Sequence, residues 1–498
     1  MSDPLILALD QGTTSTRAIL FDRRGQALGE ASRPLAQHYP ADGWVEHDAE
    51  EIFAASVTVL REAVAKAGRQ MSEVTAIGIT NQRETVVLWD RASGKPVHRA
   101  VVWQDRRTAE ACEALRAQGV EAQVTQTTGL LLDPYFAGTK IAWLLDNVPG
   151  ARARAEAGEL LVGTIDCWLI WKLTGGAVHA TDATNASRTL LFDLRGQDWS
   201  DAMLKLLDVP RAILPQVRDC AGDFGAALAD LIGHKVPIRG VAGDQQAALM
   251  GQGCIRPGEM KATYGTGCFL LVNTGEFAPV SQTRLLTTVA ARIDGRPTYA
   301  LEGAIFIAGA AIQWLVEGLG VASPAEAEAL ARRARPDNGV VMVPAFTGLG
   351  APWWDAQARG ALLGLTRDSG LPEIALAAYD ACALQTADLI EAMRADAPQA
   401  FRAGSELRID GGMSRSAWFA QRLADLTGQA VARARYEETT ALGAALFAGV
   451  GAGVFADVAE AAAARPTTDP AAPALDAAAR QAGRTRWREA VGRVLSRT

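Results

Sequence analysis

Positive charge is in short supply in this 498-residue chain, which has 49 Lys and Arg residues against 56 Asp and Glu residues and a formal net charge of −7. That balance does not favour a binder of nucleic acid or of an anionic membrane surface, so we expect neither partner. Only 21% of the residues are charged and 49% are hydrophobic, a composition that excludes disorder and allows large cores. The length predicts two to four domains at about 150 residues each.

Cysteine patterns and apolar runs are also scarce. The six cysteines form no CxxC pair and the five histidines are dispersed, which argues against a disulfide framework or a metal site of such residues. No basic region followed by an apolar stretch opens the sequence, so we expect no secretory signal and a cytoplasmic location. The longest uncharged run, residues 439–456, is rich in alanine and interrupted by glycines. We interpret it as a buried helix and a turn, and expect no membrane insertion.

Several motifs of nucleotide and acyl chemistry are missing. No GxxxxGK[ST] occurs, and no GxGxxG follows a predicted strand, so neither a Walker A site nor a dinucleotide fingerprint is present. No GxSxG elbow supports a serine nucleophile. The tripeptide at residues 223–225 (DFG) matches a protein-kinase signature, but without an HRD loop or a VAIK strand we interpret it as a coincidence.

What the chain does have is a polar turn between two predicted strands at its start. Residues 5–9 form an apolar predicted strand and residues 17–21 form a second, alternating one, and between them Asp10 leads into Gln-Gly-Thr-Thr-Ser-Thr. Glycine lets a backbone approach an anion, N–H groups and hydroxyls donate to it, and a carboxylate at the strand end can hold Mg²⁺ through water. The alternative is an ordinary hairpin turn. Further small-residue turns after predicted strands, at 265–267 and 411–412, favour a nucleotide held between two domains.

The strand–turn–strand unit recurs at residues 261–272, which predicts a duplicated architecture with a boundary near residue 250. Helices alternate with the strands, for example a helix opened by Asp48 and Glu51 as a capping box and closed by Gly68. We therefore predict an α/β fold with an N-terminal domain over residues 1–250 and a C-terminal domain over residues 251–498.

Single polar residues remain ambiguous on spacing alone. Asp244 stands where a predicted strand meets a helix predicted over residues 247–251, a position typical of an N-cap as well as of a catalytic carboxylate. Arg83 and Glu84 lie in a turn between strands, where a charged pair is commonly solvated. Trp103 ends an apolar strand predicted over residues 97–103 and could belong to the core.

In combination and in order, the motifs resemble the FGGY family of sugar kinases, and within it the branch that phosphorylates glycerol. The resemblance runs nearly end to end, through residues 9–15 (LDQGTTS), 43–47 (GWVEH), 79–85 (ITNQRET), 133–136 (DPYF), 184–189 (TNASRT), 242–248 (AGDQQAA), 263–269 (TYGTGCF) and 344–352 (PAFTGLGAP). It implies the actin-like ATPase fold, in which two ribonuclease-H-like domains surround a nucleotide cleft, and this agrees with the duplication.

The resemblance also implies a reaction and a set of site residues. The reaction is transfer of phosphate from ATP to glycerol, giving sn-glycerol 3-phosphate as the first step of glycerol catabolism, with Asp244 catalytic and Mg²⁺ held by Asp10 and Asp244. The matching glycerol-binding residues are Arg83, Glu84, Trp103, Tyr135, Asp244, Gln245 and Phe269. The matching ATP-binding residues are Thr13, Thr14, Ser15, Arg17, Thr266, Gly309, Gln313, Gly412 and Ser416, the last standing where many relatives have asparagine. A homodimer or homotetramer is expected by the same resemblance.

Two alternatives stay open. A kinase of the same family could act on another polyol or ketose, such as xylulose or erythritol. An actin-like ATPase could instead serve as a scaffold, which would turn over ATP without any polyol and would leave the glycerol-binding set unexplained.

Overall fold

The computed structural model describes residues 3–335, 338–402, 404–465 and 468–496. The strands of the first half are β1 (Leu5–Gln11), β2 (Ser15–Phe21), β3 (Ala27–Pro34), β4 (Glu46–His47), β5 (Val74–Asn81), β6 (Val86–Asp90), β7 (Ala100–Val101), β8 (Leu160–Thr164), β9 (Ala180–Asp182), β10 (Phe192–Asp193), β11 (Asp198–Trp199), β12 (Gln216–Arg218), β13 (Ala226–Ala227) and β14 (Val236–Gly243). Its helices are α1 (Ala49–Lys66), α2 (Ala109–Ala117), α3 (Glu121–Thr128), α4 (Ala137–Asn147), α5 (Ala151–Glu156), α6 (Ile165–Leu173), α7 (Ala183–Ala186), α8 (Asp201–Leu206), α9 (Ala229–Ile232) and α10 (Asp244–Gly251).

The second half continues the alternation of strands and helices. Its strands are β15 (Met260–Tyr264), β16 (Cys268–Gly275), β17 (Leu286–Ile293), β18 (Arg296–Ile305), β19 (Val341–Val343), β20 (Ala361–Leu363), β21 (Glu406–Asp410) and β22 (Ala430–Arg433). Its helices are α11 (Gly309–Leu319), α12 (Pro324–Ala331), α13 (Leu371–Asp396), α14 (Ala417–Thr427), α15 (Thr439–Gly451), α16 (Val458–Ala463) and α17 (Ala477–Val494). Short 3₁₀ helices span Met71–Glu73, Arg211–Ile213, Pro398–Ala400 and Gly412–Arg415.

Two six-stranded sheets organise the fold, and the run β14-β5-β1-β2-β3 of the first has the same topology as β22-β21-β15-β16-β18 of the second. The first has the order β13-β14-β5-β1-β2-β3, with β1 antiparallel to β2 and parallel to β5. The second has the order β22-β21-β15-β16-β18-β17, with β15 antiparallel to β16 and parallel to β21. This repetition confirms the predicted α/β class and the actin-like arrangement of two ribonuclease-H-like units.

The first strand and helix form for the reasons that the sequence suggests, with one correction. The apolar residues of β1 are all buried, as expected for a central strand covered on both faces. Helix α1 begins after Asp48, whose carboxylate accepts from the N–H groups of Glu50 and Glu51. The predicted capping box is wrong, because the Glu51 carboxylate accepts instead from the N–H of Ala36, 3.2 Å away. A contact with the neighbouring chain segment has replaced the local one.

The strand predicted over residues 97–103 is much shorter in the structure. Only Ala100–Val101 pairs within the sheet that β4, β6 and β8 complete. Beyond it, the N–H of Val102 donates to Val45 O, and the N–H of Trp103 donates to the Thr85 hydroxyl at 3.2 Å. These contacts bend the chain away from the sheet and leave Trp103 half-buried.

The small-residue run near the C-terminus joins the two halves. Helix α15 is almost wholly buried and packs against α10, β14, β5 and β1. This agrees with the buried helix predicted there. Among the described residues, no helix is both long and apolar enough to cross a bilayer.

Candidate functional site

The predicted phosphate-binding turns lie at strand ends, as expected. The first turn follows β1 and is closed by the N–H of Gly12, which donates to Ser15 O at 2.9 Å. The second follows β15, where the N–H of Gly265 donates to Gly267 O at 2.9 Å. Helix α11 begins beside it, and the N–H of Gly309 donates to Gly265 O at 3.0 Å. Close approach requires glycine at 309, because an added Cβ would lie 2.5 Å from that oxygen.

A cavity of about 1100 Å³ opens between the second turn, helices α11 and α12, and the 3₁₀ helix Gly412–Arg415 that precedes α14. Its walls include aromatic faces and polar groups, which suit a ring system and its polar substituents. Five of the predicted ATP-binding residues line it together: Thr266, Gly309, Gln313, Gly412 and Ser416. The other four do not line this cavity: Thr13 and Thr14 lie in the turn between β1 and β2, and Ser15 and Arg17 lie in β2.

Two of the predicted ATP-binding residues in that cavity already have hydrogen-bond partners within the protein. The Ser416 hydroxyl caps α14 by accepting from the N–H of Phe419 at 2.9 Å, so it already has a structural partner. Gln313 is exposed and donates to Glu317 at 2.7 Å. Gly411, which turns the chain from β21 into the cavity wall, has φ +84° and would be strained as any other residue.

Arg83 and Glu84 are not a solvated loop tip, and that alternative is wrong: their side chains are 2% and 1% exposed. The Arg83 guanidinium donates to Glu302 at 2.6 and 3.1 Å and to the Tyr135 hydroxyl at 3.3 Å. Its Nε also lies 3.1 Å from Asp244. Arg83 therefore connects the catalytic candidate to a carboxylate in the second half of the chain.

Sequence reasoning missed two members of this cluster, Arg188 and Glu302. Arg188 is fully buried and donates to Glu84 at 2.7 Å and to Glu302 at 2.9 Å. Burial by itself raises the pKa of Glu302, but Arg188 and Arg83 outweigh it and lower that pKa to about 2. Two guanidinium groups and two carboxylates thus balance in charge. Glu302 is the charged residue of the otherwise apolar stretch Ala-Leu-Glu-Gly-Ala in β18, which was an available signal.

Asp244 is the first residue of α10 rather than its N-cap. Gly243 occupies the cap position, and no side chain caps this helix. The Asp244 carboxylate is 32% exposed and lies next to Arg83. The N-cap interpretation is therefore wrong, and the carboxylate is available to a ligand.

Asp10 lies near Asp244 at the end of β1. Its pKa is raised to about 7 by burial first and then by Glu438 and Asp244, while Arg17 lowers it. Arg17 forms ion pairs with Glu438 and, at 3.3 Å, with Glu30. Two carboxylates that repel one another suit Mg²⁺, which takes one or two carboxylates and completes its shell with water and phosphate oxygens. Within the described ranges, no cluster of three or more His, Cys, Asp or Glu residues could hold a metal alone.

Trp103 and Tyr135 lie together beside Arg83. The Trp103 indole donates to the Thr13 hydroxyl at 2.9 Å, and its ring meets that of Tyr135 edge to face, 5.5 Å between centroids. Trp103 is half-buried, so it is not a core residue. Phe269 lies on β16 opposite Thr263 of β15 and is also half-buried.

Gln245 follows Asp244 and points to the second sheet. Its carbonyl Oε1 accepts from the ammonium of Lys261, which also donates to the Thr263 hydroxyl at 3.0 Å. Lys261 is fully buried, and sequence reasoning missed it as well. A lysine inside the stretch Met-Lys-Ala-Thr-Tyr of β15 was the signal.

Comparison with known proteins adds a family and named relatives. A model of the N-terminal domain of the FGGY family of carbohydrate kinases matches residues 5–251, and a model of that family's C-terminal domain matches residues 260–452. The chain is 57% identical to a glycerol kinase from Methylobacterium nodulans, over 99% of this chain and 98% of that protein. It is 56% identical to a glycerol kinase from Alcanivorax borkumensis, over 99% and 98%.

Solved structures of carbohydrate kinases also match nearly the whole chain. The crystal structure of Plasmodium falciparum glycerol kinase with ADP matches with a TM-score of 0.94 and 33% identity, covering 100% of this chain and 99% of that one. A gluconate kinase from Lactobacillus acidophilus matches with a TM-score of 0.89 over 99% and 98%, but its 20% identity shows the fold alone.

Proposed function

The chain belongs to the FGGY family of carbohydrate kinases, and on that basis we propose how its side chains carry out the reaction that it catalyses, the ATP-dependent phosphorylation of glycerol. The observation that carries the reaction is identity above 50% to glycerol kinases over nearly the whole of both chains. The product is sn-glycerol 3-phosphate, which makes the reaction the first step of glycerol catabolism.

Asp244 orients the attacking hydroxyl and accepts its proton. Its partly exposed carboxylate and its contact with Arg83 support this role. A carboxylate is a weak base toward an alcohol, so the proton moves late and orientation supplies most of the effect. A protein that transfers a phosphoryl group between oxygens contributes positioning and electrostatic stabilisation more than covalent chemistry.

The buried cluster around Arg83 binds the triol. Arg83 and Glu84 supply charged partners for hydroxyl groups, Tyr135 and Gln245 supply neutral ones, and Trp103 and Phe269 cover the carbon chain. The proximity of Arg83 to Asp244 and Tyr135 supports this set. A site built to bond three hydroxyls rejects analogues that lack one.

ATP occupies the cavity beside α11 and the 3₁₀ helix Gly412–Arg415, bound by Thr266, Gly309, Gln313, Gly412 and Ser416, and its phosphates reach the turn of Thr13, Thr14 and Ser15. Arg17 contributes positive charge near that turn. Asp10 and Asp244 would hold Mg²⁺, which supplies charge neutralisation for the phosphates. Convergence of the first five residues on one cavity supports the placement.

The domain bounds, the cellular location and the oligomeric state are also proposed from membership of the family. The N-terminal domain spans residues 1–250 and the C-terminal domain spans 251–498, and closure of one on the other excludes water from the site. The protein works in the cytoplasm, an assignment that its six free, buried cysteines support. It forms a homodimer or homotetramer, which sedimentation velocity distinguishes.

A polyol panel tests the function. ADP release is measured with glycerol, xylulose, erythritol and no polyol, and we expect turnover to depend on glycerol. Preference for xylulose or erythritol would favour the other family activities, and turnover without polyol would favour an ATPase scaffold.

The substrate site has its own test. Arg83→Ala is expected to raise the glycerol KM far more than the ATP KM, whereas Arg211→Ala, which removes a surface ion pair with Asp198, should change neither. Equal increases in both KM values for Arg83→Ala would contradict a substrate-binding role.

A further inference from the structure

The second sheet faces α10 with a row of charged side chains. Lys261 on β15 lies across from Leu271 on β16, and Leu271 lies across from Glu302 on β18, so Lys261 and Glu302 share this face. Asp410 on β21 lies beside Thr263 on the same face. Side chains from the second sheet thus support side chains of the first half: Glu302 holds Arg83, and Lys261 holds Gln245.

The ammonium of Lys261 is fully buried. Burial lowers its pKa, and Asp410, Asp244 and Glu302 oppose that effect while Arg83 adds to it. The cation is therefore compensated by carboxylates that it does not directly bond, and its assigned hydrogen bonds go to the neutral oxygens of Gln245 and Thr263. A buried lysine whose ammonium donates to a neutral amide determines which end of that amide faces it.

Contact with Lys261 determines how the Gln245 amide is turned. An ammonium has donors and no acceptor, so the amide atom that faces it must be the oxygen. The amide nitrogen Nε2 then points away from Lys261. In the described part of the chain, Nε2 has no hydrogen-bond partner and is not among the fully buried side-chain atoms, so it is open to a ligand. Gln245 as a whole is 8% exposed and directly follows Asp244.

We propose that Lys261 is a positioning residue that fixes the Gln245 amide as a hydrogen-bond donor, so that Nε2 donates to a hydroxyl oxygen of the bound polyol. This inference rests on the proposed function. It makes Lys261 a determinant of specificity, because a substrate without an oxygen at that position leaves this N–H group without a partner in the closed site. Without Lys261, the amide rotates freely and either end can face the ligand.

The test compares substrates that differ in one hydroxyl. Lys261→Met removes the donor, and kcat and KM are measured with glycerol, propane-1,2-diol and propane-1,3-diol. We expect the glycerol KM to rise about tenfold, the equivalent of one hydrogen bond, with the ATP KM unchanged. Discrimination between glycerol and one of the two diols should fall by a similar factor. Lys172→Met, which removes a lysine that donates to Glu50, is the matched control and should leave the ratio intact.

A double-mutant cycle separates positioning from general support. If Lys261 acts through Gln245, then Lys261→Met should add no further loss of discrimination in a Gln245→Met background. Lys261→Arg retains charge and donors and should restore most of the glycerol KM. Should the methionine variant fail to fold, Lys261→Gln keeps a polar neutral partner, relaxes the amide orientation and should still raise the glycerol KM.

Different results would refute the proposed function and the proposed role of Lys261. A wild-type enzyme that does not phosphorylate glycerol would refute the function itself. An active wild type with unchanged discrimination in Lys261→Met, or in Lys261→Gln if that variant replaces it, would refute only the role of Lys261. Equal rises in the KM values for glycerol and ATP would also refute it, because they would mean general structural support.

Discussion

Replacing Glu302 by glutamine should destabilise the protein and loosen its substrate site together. The Glu302 carboxylate accepts from Arg83 at 2.6 and 3.1 Å and from Arg188 at 2.9 Å. In Glu302→Gln one of those oxygens becomes an amide donor that faces guanidinium donors, and the two buried arginines keep only Glu84 and the partly exposed Asp244 as carboxylate partners. Arg83 then loses the partner that orients it.

Two arguments give the expected loss of unfolding free energy. The two arginines lower the pKa of Glu302 from 4.5 to about 2 against the effect of burial, and at about 1.4 kcal/mol per pKa unit that shift corresponds to roughly 3 kcal/mol of unfolding free energy. Removing one partner of a buried ion pair costs about 3–5 kcal/mol. Because the folded-state pKa of Glu302 lies below the unfolded one, this stability is complete above about pH 4.5 and is lost as the pH falls toward about 2.

Urea unfolding followed by fluorescence, at pH 7 and at pH 4, measures the effect. Glu302→Gln is expected to lower the unfolding free energy by about 3 kcal/mol at pH 7, by less at pH 4, and to raise the glycerol KM. Glu62→Gln, which removes a surface partner of Arg33, should cost less than about 1 kcal/mol. A loss at pH 7 no larger than that control, or one independent of pH, would refute the reasoning.

Three further variants test other parts of the site. Asp244→Asn should keep the circular dichroism spectrum and lower kcat at least about 100-fold, and near-normal turnover would contradict its role. Asp10→Asn should raise the Tm of the metal-free protein at pH 8 more than at pH 5, because the raised pKa of Asp10, about 7, means that ionising it costs stability as the pH rises; an equal Tm shift at both would oppose this. Gly309→Ala places a Cβ 2.5 Å from Gly265 O and should raise the ATP KM while sparing that of glycerol, and unchanged ATP kinetics would show that the turn adapts.

Local patterns predicted much of this molecule. Apolar strands followed by small-residue turns indicated both the duplication and the turn around Thr266, and the small-residue run at 439–456 indicated a buried helix. Strand ends were less predictable, as the short β7 shows, because contacts such as that of Trp103 with Thr85 come from chain segments distant in sequence.

Local sequence patterns did not predict the contacts of the charged residues that support the site, Glu302 and Lys261. Glu302 and Lys261 are 41 residues apart in sequence and share a face only through the register of β15, β16 and β18. No spacing rule pairs Glu302 with Arg83, 219 residues away. A charged residue within an apolar strand nevertheless indicates a buried partner, and that signal was present at both positions.

A crystal structure with glycerol and a non-hydrolysable ATP analogue tests the site most directly. We predict that the triol lies within hydrogen-bond distance of Arg83 and Asp244, with the γ-phosphate facing one of its terminal hydroxyls. A triol bound elsewhere, remote from Asp244, would contradict the assignment.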